Sequence, residues 1–433
     1  MKKNIIAFLV LLGSVLGNAQ EVLTIKDAVA IALENNFEIK IASNNLNIDK
    51  VNMSEGNAGM LPTITGTVVD NNRVQNSSQT LQTGQVNSLK NAKNNSLNYG
   101  VSLDWTIFDG LRMFARYDQL KELQKLGETR LKQTILLKIA EVNATYFDLV
   151  QQQQQLIAID STILISSQRL QLAENRFKIG KASKLEVLNA QVDLNTDKVT
   201  LLRQKELYAN TKIKLNQILA RDVKKEFTVL NDIKVDNSLV LPQLIELAKQ
   251  QNPQLQTQII AKNVSELQLK QVKAARYPVV SLNTGYNFQN TESSLGFTRE
   301  SSARGFNYGF SATLNIFDGF AQNRNEKIAK YELENTKLAI EQQSQVLESQ
   351  LSTFYQTYLT NLELINLEQN NEAIAKQNLA ITIYKLKIGT ITTIEFRAAQ
   401  LNYVNARVRN SNAQYQAKLS EIALKELAGN ISY

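Results

Sequence analysis

The sequence predicts an internally duplicated chain of mixed α and β structure, in which long coiled-coil helices follow pairs of alternating strands. Two motifs recur 209 residues later: Phe108-Asp-Gly returns at Phe317, and Arg176-Phe-Lys-Ile-Gly returns as Lys385-Leu-Lys-Ile-Gly. Long segments without proline predict the helices, and alternating apolar residues before them predict the strands. Each half of the chain is therefore expected to contain the same elements in the same order.

The N-terminus has the pattern of a secretory signal peptide, predicted to span residues 1–19. Lys2 and Lys3 give a positively charged start, an apolar stretch follows over 5–16, and small residues end the segment at Ala19. The apolar stretch is too short to cross a membrane as a helix. The mature chain is therefore expected to be exported.

The composition argues against most catalytic and metal chemistry. The 433-residue chain contains no cysteine and no histidine, so it lacks a thiolate nucleophile and the commonest transition-metal ligand. We find no phosphate loop, metal-ligand spacing or nucleophile–base pair, and we predict no enzyme activity, catalytic residue, cofactor or metal. The 48 basic and 40 acidic residues are interspersed without a basic stripe, which argues against nucleic acid as a partner.

The first repeat is predicted to cover residues 20–220. It begins with a leading helix, which a proline ends, and continues with two strands, a very long helix, a glycine break and a return helix. These elements are expected over 25–59, 62–108, 111–178 and 185–220.

The second repeat is predicted to cover residues 241–433, after a linker at 221–240 that mixes charges with short apolar pieces. Its leading helix, strand pair, long helix and return helix are expected over 242–276, 278–317, 320–387 and 394–427.

The strands show a period of two, which is typical of a sheet with unlike faces. Apolar residues alternate with small polar ones over 97–108 and again over 305–317. The segments 71–95 and 290–304, rich in Asn, Ser, Thr and Gln, are expected to be solvated loops between the paired strands.

The apolar side of the predicted sheet is unusually aromatic, and its candidate membrane-belt residues are Tyr99, Trp105, Phe306 and Tyr308. Such strands fit a transmembrane barrel, although taken alone they also fit a soluble sandwich with one wet face. Four strands are too few to close a barrel, since about eight is the smallest useful number. A barrel would therefore need an oligomer: a dimer gives eight strands and a trimer twelve.

The long helices carry heptad spacings, which are typical of coiled coils. In the first, Ile135, Ile139, Val142, Tyr146 and Leu149 step by four and three residues. The remaining faces are rich in Gln, Asn and Lys, so the helices suit a hollow wall better than a globular core.

A tip motif joins each long helix to its return helix. Gly180 and Gly389 are expected at the helix ends in the left-handed conformation. The pairs Ser183 with Glu186 and Thr392 with Glu395 have capping-box spacing, which predicts the start of each return helix.

The whole pattern resembles the TolC-like outer-membrane efflux family, over essentially all of the mature chain. The resemblance implies a homotrimer whose protomers contribute four strands each to a twelve-stranded barrel in the outer membrane of a Gram-negative cell. It implies a periplasmic helical tunnel, a periplasmic adaptor protein and an inner-membrane pump as partners, and passive conduction of the cargo. The motifs that carry it are Arg176-Phe-x-x-Gly180-x-x-Ser183-x-x-Glu186, Leu386-x-x-Gly389-x-x-Thr392-x-x-Glu395 and the two Ile-Phe-Asp-Gly strand ends.

The resemblance also assigns candidate roles at the tips. It implies that Glu186 and Glu395 narrow or gate the pore entrance, where capping alone would also explain both. A further acid that the family often has is replaced by Ala398. The candidate adaptor-docking residues are Gly180, Ser183, Gly389 and Thr392.

Two alternatives remain open at the level of sequence. The channel could serve type I protein secretion instead of efflux, because the pump selects the cargo. A soluble periplasmic coiled-coil scaffold or adaptor would explain the heptads, but it leaves the two aromatic strand pairs without a purpose.

Overall fold

The computed structural model describes residues 21–294 and 298–431 of the chain. The predicted signal peptide, residues 1–19, lies outside the described residues. The described chain divides into two units, each with its own internal contacts. The tip unit comprises residues up to 44, 129–256 and those from 342 onward; the sheet unit comprises 45–128 and 257–341.

The described residues are mostly helical, with a smaller part in strands, so the expected mixed α and β composition is confirmed. The first half contains β1 (Glu21–Leu23), α1 (Ile25–Asn35), α2 (Phe37–Asn52), α3 (Glu55–Ala58), β2 (Thr63–Thr80), β3 (Val86–Phe108), α4 (Arg112–Lys178) and α5 (Lys184–Ile218). The second half contains β4 (Phe227–Val229), α6 (Leu241–Gln251), α7 (Pro253–Ala274), β5 (Val279–Ser293), β6 (Glu300–Thr313), α8 (Ala321–Ile388) and α9 (Thr393–Leu427).

The long helices α4 and α8 contain 67 and 68 residues and begin in the same way. The carboxylate of Asp109 accepts a hydrogen bond from Met113 N at 3.1 Å, and that of Asp318 accepts one from Gln322 N at 2.8 Å. These carboxylates satisfy first-turn amides that have no partner within the helix. Among the described residues, no helix is both long and apolar enough to cross a membrane.

The leading helices predicted for 25–59 and 242–276 are both interrupted, which corrects the prediction; the first also breaks at 53–54, before α3. The equivalent breaks in the two halves fall at Asn36 and Asn252, both of which are buried. The side-chain oxygen of each accepts a first-turn backbone N–H of the next helix, at 2.9 Å and 3.0 Å. Asparagine competes with the helical backbone in this way, so a single residue ends one helix and caps the next.

The same two asparagines hold the ends of the return helices. Asn36 Nδ2 donates to the carbonyl oxygen of Ile218 at 2.8 Å, and Asn252 Nδ2 donates to that of Leu427 at 2.9 Å. These carbonyl groups end α5 and α9, where no intrahelical donor remains for them. Each return helix is thereby fixed to the break in the leading helix of its own half.

The sheet unit contains a four-stranded antiparallel sheet in the order β2-β3-β5-β6. The predicted loops 71–95 and 290–304 were wrong over most of their length, because the strands continue through 71–80, 86–95, 290–293 and 300–304. Backbone ladder bonds extend a hairpin whatever its side chains are, so a polar composition did not end the strands. The strand predicted to reach residue 317 ends at Thr313.

The main hydrophobic core of the tip unit lies around a short parallel pair, β1 with β4. Leu23 and Phe227 from this pair are fully buried against Leu149 of α4 and Leu215 of α5. The hydroxyl of Tyr146 donates to Leu23 O at 3.0 Å, which satisfies a polar group within that core.

Candidate functional site

The helical tips contain the glycines that the sequence placed there. Gly180 has a φ of 73° and Gly389 a φ of 78°, both in the left-handed region. The N–H of the residue after each glycine donates to the carbonyl five residues earlier, at 2.8 Å and 3.0 Å, and so closes the helix end. A Cβ at either glycine would meet open space, so both tips are exposed.

The two tips differ at the start of the return helix. Thr392 and Glu395 form the complete capping box, in which Glu395 accepts from Thr392 N at 2.8 Å. This hydrogen bond, followed by that from the Thr392 hydroxyl, lowers the pKa of the Glu395 carboxyl. Ser183 caps Glu186 N at 3.3 Å, but the carboxylate of Glu186 turns toward Arg176, 3.8 Å away. The predicted capping box at Ser183 is therefore only half formed.

The tips also expose large apolar side chains. Ile179 and Leu185 flank the first tip, and Ile388 and Ile394 flank the second, with 64–76% of each side chain accessible. The candidate docking residues Gly180, Ser183, Gly389 and Thr392 lie among them. Each tip therefore presents an apolar surface around a polar turn.

In the sheet unit, the strand register places most of the apolar residues of the four strands on one face. One row runs Val68, Tyr99, Phe288 and ends at Arg304; the next runs Gly66, Val101, Tyr286, Phe306. Tyr99 and Phe288 stack with ring centroids 4.8 Å apart. We call this surface the apolar face; the sequence predicted its alternation one strand at a time, and the register aligns it across the sheet.

All four candidate belt residues lie on the apolar face. Phe306 and Tyr308 are 65% and 77% exposed, whereas Tyr99 and Trp105 are less so. Trp105 lies near the end of β3, and its indole Nε1 donates to Met60 O at 2.9 Å. Its ring therefore lies on the apolar face while its only polar group is satisfied.

The opposite surface of the sheet, which we call the polar face, carries amide, hydroxyl and glycine residues. A representative row runs Thr65, Ser102, Gly285, Asn307. The two glycines Gly100 and Gly285 lie where a Cβ would come within 3 Å of the neighbouring strand. These two positions of the polar face therefore have no room for a larger side chain.

A buried charged network in the tip unit was missed by the sequence analysis. Arg397 of α9 makes a bidentate contact with Asp197 of α5, at 2.7 Å and 2.9 Å. Asp193 of α5 pairs with Arg169 of α4 at 2.5 Å, and Asp197 also accepts from Ser166. Three helices are thus joined by one set of ionic hydrogen bonds.

Burial makes this network energetically important. Arg169, Ser166 and Asp197 are at most 6% exposed, and Gln400, which donates to Ser166 at 2.8 Å, is fully buried. Removing one partner of a buried pair leaves an uncompensated charge. The available signal was Asp197 itself, which falls on the core heptad of α5 with Val187, Ala190 and Leu194.

The predicted linker 221–240 is fastened to α8 and α9. The hydroxyl of Tyr358 donates to the carbonyl oxygen of Asp236, and the Asp236 carboxylate pairs with Lys425 at 3.1 Å. Hydrogen bonds from Ser238, with a smaller effect from Lys425, lower the pKa of Asp236 to about 2. Burial raises the pKa of Tyr358 to about 12.

Comparison with known proteins identifies the protein family that has this fold. The family model described as outer membrane efflux protein matches residues 28–221 and again 244–430, which together exceed half of the chain. The chain belongs to the outer membrane efflux protein family.

Individual relatives agree with this assignment. Outer membrane protein TolC of Escherichia coli (strain K12) is 21% identical over 356 residues, covering 78% of this chain and 70% of the relative. The CmeC outer membrane channel of Campylobacter jejuni superimposes with a TM-score of 0.79 at 18% identity, covering 94% of this chain and 85% of that one. The outer membrane protein VceC of Vibrio cholerae gives 0.76 at 13% identity, covering 94% and 96%.

Proposed function

We propose that this chain is the outer-membrane exit duct of a tripartite efflux pump, in which it conducts cargo passively from an inner-membrane pump and a periplasmic adaptor. Its sheet lies in the outer membrane and its helices extend into the periplasm. The observation that carries the proposal is the apolar face, because a sheet with that much exposed aromatic surface needs a nonaqueous neighbour.

The size of the apolar face supports a membrane position. It runs along β3 from Leu97 to Phe108. At about 3.3 Å per residue this is about 36 Å of strand, and a tilt of about 40° reduces the height to about 28 Å. That height is close to the apolar band of about 25 Å that outer-membrane barrels present to lipid.

The open edges of the sheet support assembly with further copies. Among the described residues, β2 and β6 each pair on one side alone, so the sheet has two free edges. Joining β6 of one copy to β2 of the next removes both edges, and three copies give twelve strands. The homotrimer itself comes from the family resemblance.

Exposed heptad stripes on two helices support the same ring. The stripe on α5 has apolar residues at heptad spacing, and the stripe on α8 has them every seven residues. Two unlike stripes favour a ring over a dimer, because a dimer with two-fold symmetry pairs a surface with itself. The stripes consist of Leu185, Leu188, Val192, Val199 and Leu202 on α5, and of Leu367, Ile374, Ile381 and Ile388 on α8.

The stripes lie on helices that are not joined to each other. Within the described tip unit, no hydrogen bond or ion pair links α5 to α8, whereas α4 and α9 have contacts with both. We propose that α5 of one copy packs against α8 of the next, and that the chain arose by internal duplication, since the family model matches it twice.

The tips are proposed as the closed end of the tunnel and the docking surface for the adaptor. Their exposed isoleucines and leucine support docking, with Gly180 and Gly389 as turns within that surface. A role of Glu186 and Glu395 at the pore entrance is compatible with their capping contacts, since each carboxylate lies at a tip.

The test is the native mass of the full-length protein extracted in detergent from isolated outer membranes. We expect three copies in one particle, which twelve-strand closure requires. A monomer in the soluble periplasmic fraction would contradict the proposal, because its four strands would have no barrel to join.

A further inference from the structure

The polar face of the sheet contains very few charges. Its rows are neutral from one end of the apolar face to the other, except for a single carboxylate on Asp104. Five rows further out, Arg73 lies opposite Asn94, and the same row continues through Ser293 to Arg299, whose carbonyl oxygen accepts from Ser293 N at 2.9 Å. In the five rows between Thr106 and Asn98 the described residues are Thr106, Ser281, Ser311; Thr63, Asp104, Asn283, Gly309; Thr65, Ser102, Gly285, Asn307; Thr67, Gly100, Asn287, Gly305; and Val69, Asn98, Gln289, Ala303.

Asp104 is exposed and held in position. Asn283 Nδ2 donates to its Oδ1 from the neighbouring strand. Among the described residues, its other oxygen accepts no hydrogen bond and no basic side chain pairs with it. The next position in the row is Gly309, where a Cβ would meet open space. One oxygen of the carboxylate is therefore available to ions, and the rows next to it are neutral.

We propose that Asp104 is the residue that sets ion selectivity in the barrel, by forming a ring of carboxylates that favours small cations over anions. This inference rests on the proposed function, because it needs the polar face to line a water-filled passage. Rings of like charge select ions in this way, and the neutral rows on either side leave Asp104 unopposed. The cargo class that the ring favours is cationic.

Distance determines how far the ring acts. Twelve strands spaced about 4.8 Å apart and tilted by about 40° enclose a backbone radius of about 12 Å. The Debye length is about 10 Å at 0.1 M salt and about 3 Å at 1 M. The three carboxylates, which project inward from the wall, therefore act on ions at the axis at 0.1 M and are screened at 1 M.

Arg73 provides an internal check on the same idea. Its guanidinium lies on the polar face toward the outer end, with no ion pair among the described residues. A ring of three such cations opposes entry of cations at that end. We therefore expect Arg73→Gln to raise the cation preference and Asp104→Asn to lower it.

The experiment measures the reversal potential of single channels in planar bilayers under a tenfold KCl gradient with a mean near 0.1 M. Every variant carries Glu186→Gln and Glu395→Gln, so that the tip carboxylates do not contribute. We expect Asp104→Asn to lose most of the remaining cation preference and Asp104→Lys to reverse its sign. The matched control is Asp70→Asn, which removes a carboxylate from the opposite, apolar face of the same hairpin.

The outcomes separate the two levels of the proposal. A reversal potential that moves with Asp104→Asn and not with Asp70→Asn supports the inference, as does loss of the difference at 1 M salt. Normal conduction with an unmoved reversal potential in Asp104→Asn overturns the inference and leaves the proposed channel intact. Absence of any conduction by the reconstituted protein that carries Glu186→Gln and Glu395→Gln alone overturns the proposed function, and the inference with it.

Discussion

The two return helices, α5 and α9, have 35 residues each and follow equivalent tips, yet their surroundings differ. Helix α9 makes side-chain hydrogen bonds to α4, α5 and α8, whereas those of α5 to other long helices reach α4 and α9. Arg397 of α9 is bound in the buried network; the equivalent position of α5, 209 residues earlier, is the exposed Leu188. Equivalent positions in the two halves therefore carry opposite chemistry: an ion-paired arginine on α9, which contacts three long helices, and an exposed leucine on α5, which contacts two.

The largest expected effect comes from replacing Arg397 with an apolar residue, the kind of residue that occupies the equivalent position of α5. Arg397→Met removes the guanidinium and leaves Asp197 buried without its main partner, which should cost about 3–5 kcal/mol of unfolding free energy. Denaturant unfolding followed by the helical circular dichroism signal measures it. The control is Leu188→Met, at the equivalent exposed site, where we expect less than about 0.5 kcal/mol. Equal losses of unfolding free energy at both sites would show that the buried pair of Arg397 with Asp197 stabilises the fold no more than an exposed side chain does.

The ends of the two helices offer a second contrast. Gly429 has a φ of 77°, and a Cβ there would come within 2.5 Å of Gln251 O; the equivalent Ala220 already has a Cβ at a φ of 49°. We expect Gly429→Ala to lower the unfolding free energy by about 2 kcal/mol or more, and Ala220→Gly to raise it by about 1 kcal/mol. Thermal melting of the purified oligomer measures both. A gain of stability in Gly429→Ala would mean that Gln251 moves away.

The smallest expected effect concerns the tips. Because its pKa is lowered when folded, the Glu395 carboxylate stabilises the helix above its ordinary value of 4.5, and this contribution is lost as the pH falls through the folded pKa. Glu395→Gln should therefore reduce the drop in melting temperature between about pH 5 and about pH 3. Glu186→Gln leaves the Thr392 cap intact and should keep that drop. The same reduction in both variants would contradict the difference between the caps.

Much of the architecture could be predicted because it depends on local patterns. The alternation of strand β3 and the glycine at each tip follow from period and backbone conformation within a few residues. The prediction was wrong where two local signals competed: Asn36 and Asn252 stand in helical sequence but bond to the backbone, and the polar hairpin ends were taken as loops.

The buried network could not be predicted for a different reason. Arg397 and Asp197 are 200 residues apart, and an aspartate on a helix is ordinarily solvated. Only the packing of α5 against α9 reveals that this one is enclosed. The heptad position of Asp197 could have indicated that this aspartate is buried, but nothing in the sequence indicates that Arg397 is its partner.

The free edges of the sheet have a consequence for the life of the chain before assembly. The inner parts of β2 and β6, at 63–69 and 305–313, contain no charged residue. Charges are what ordinarily keep exposed strand edges from pairing with the wrong neighbour. A newly exported copy is therefore prone to aggregate until its strand edges pair with those of other copies. The yield of assembled particles should therefore depend on how quickly copies meet. It should rise with the rate of synthesis and with protection of the strand edges during export.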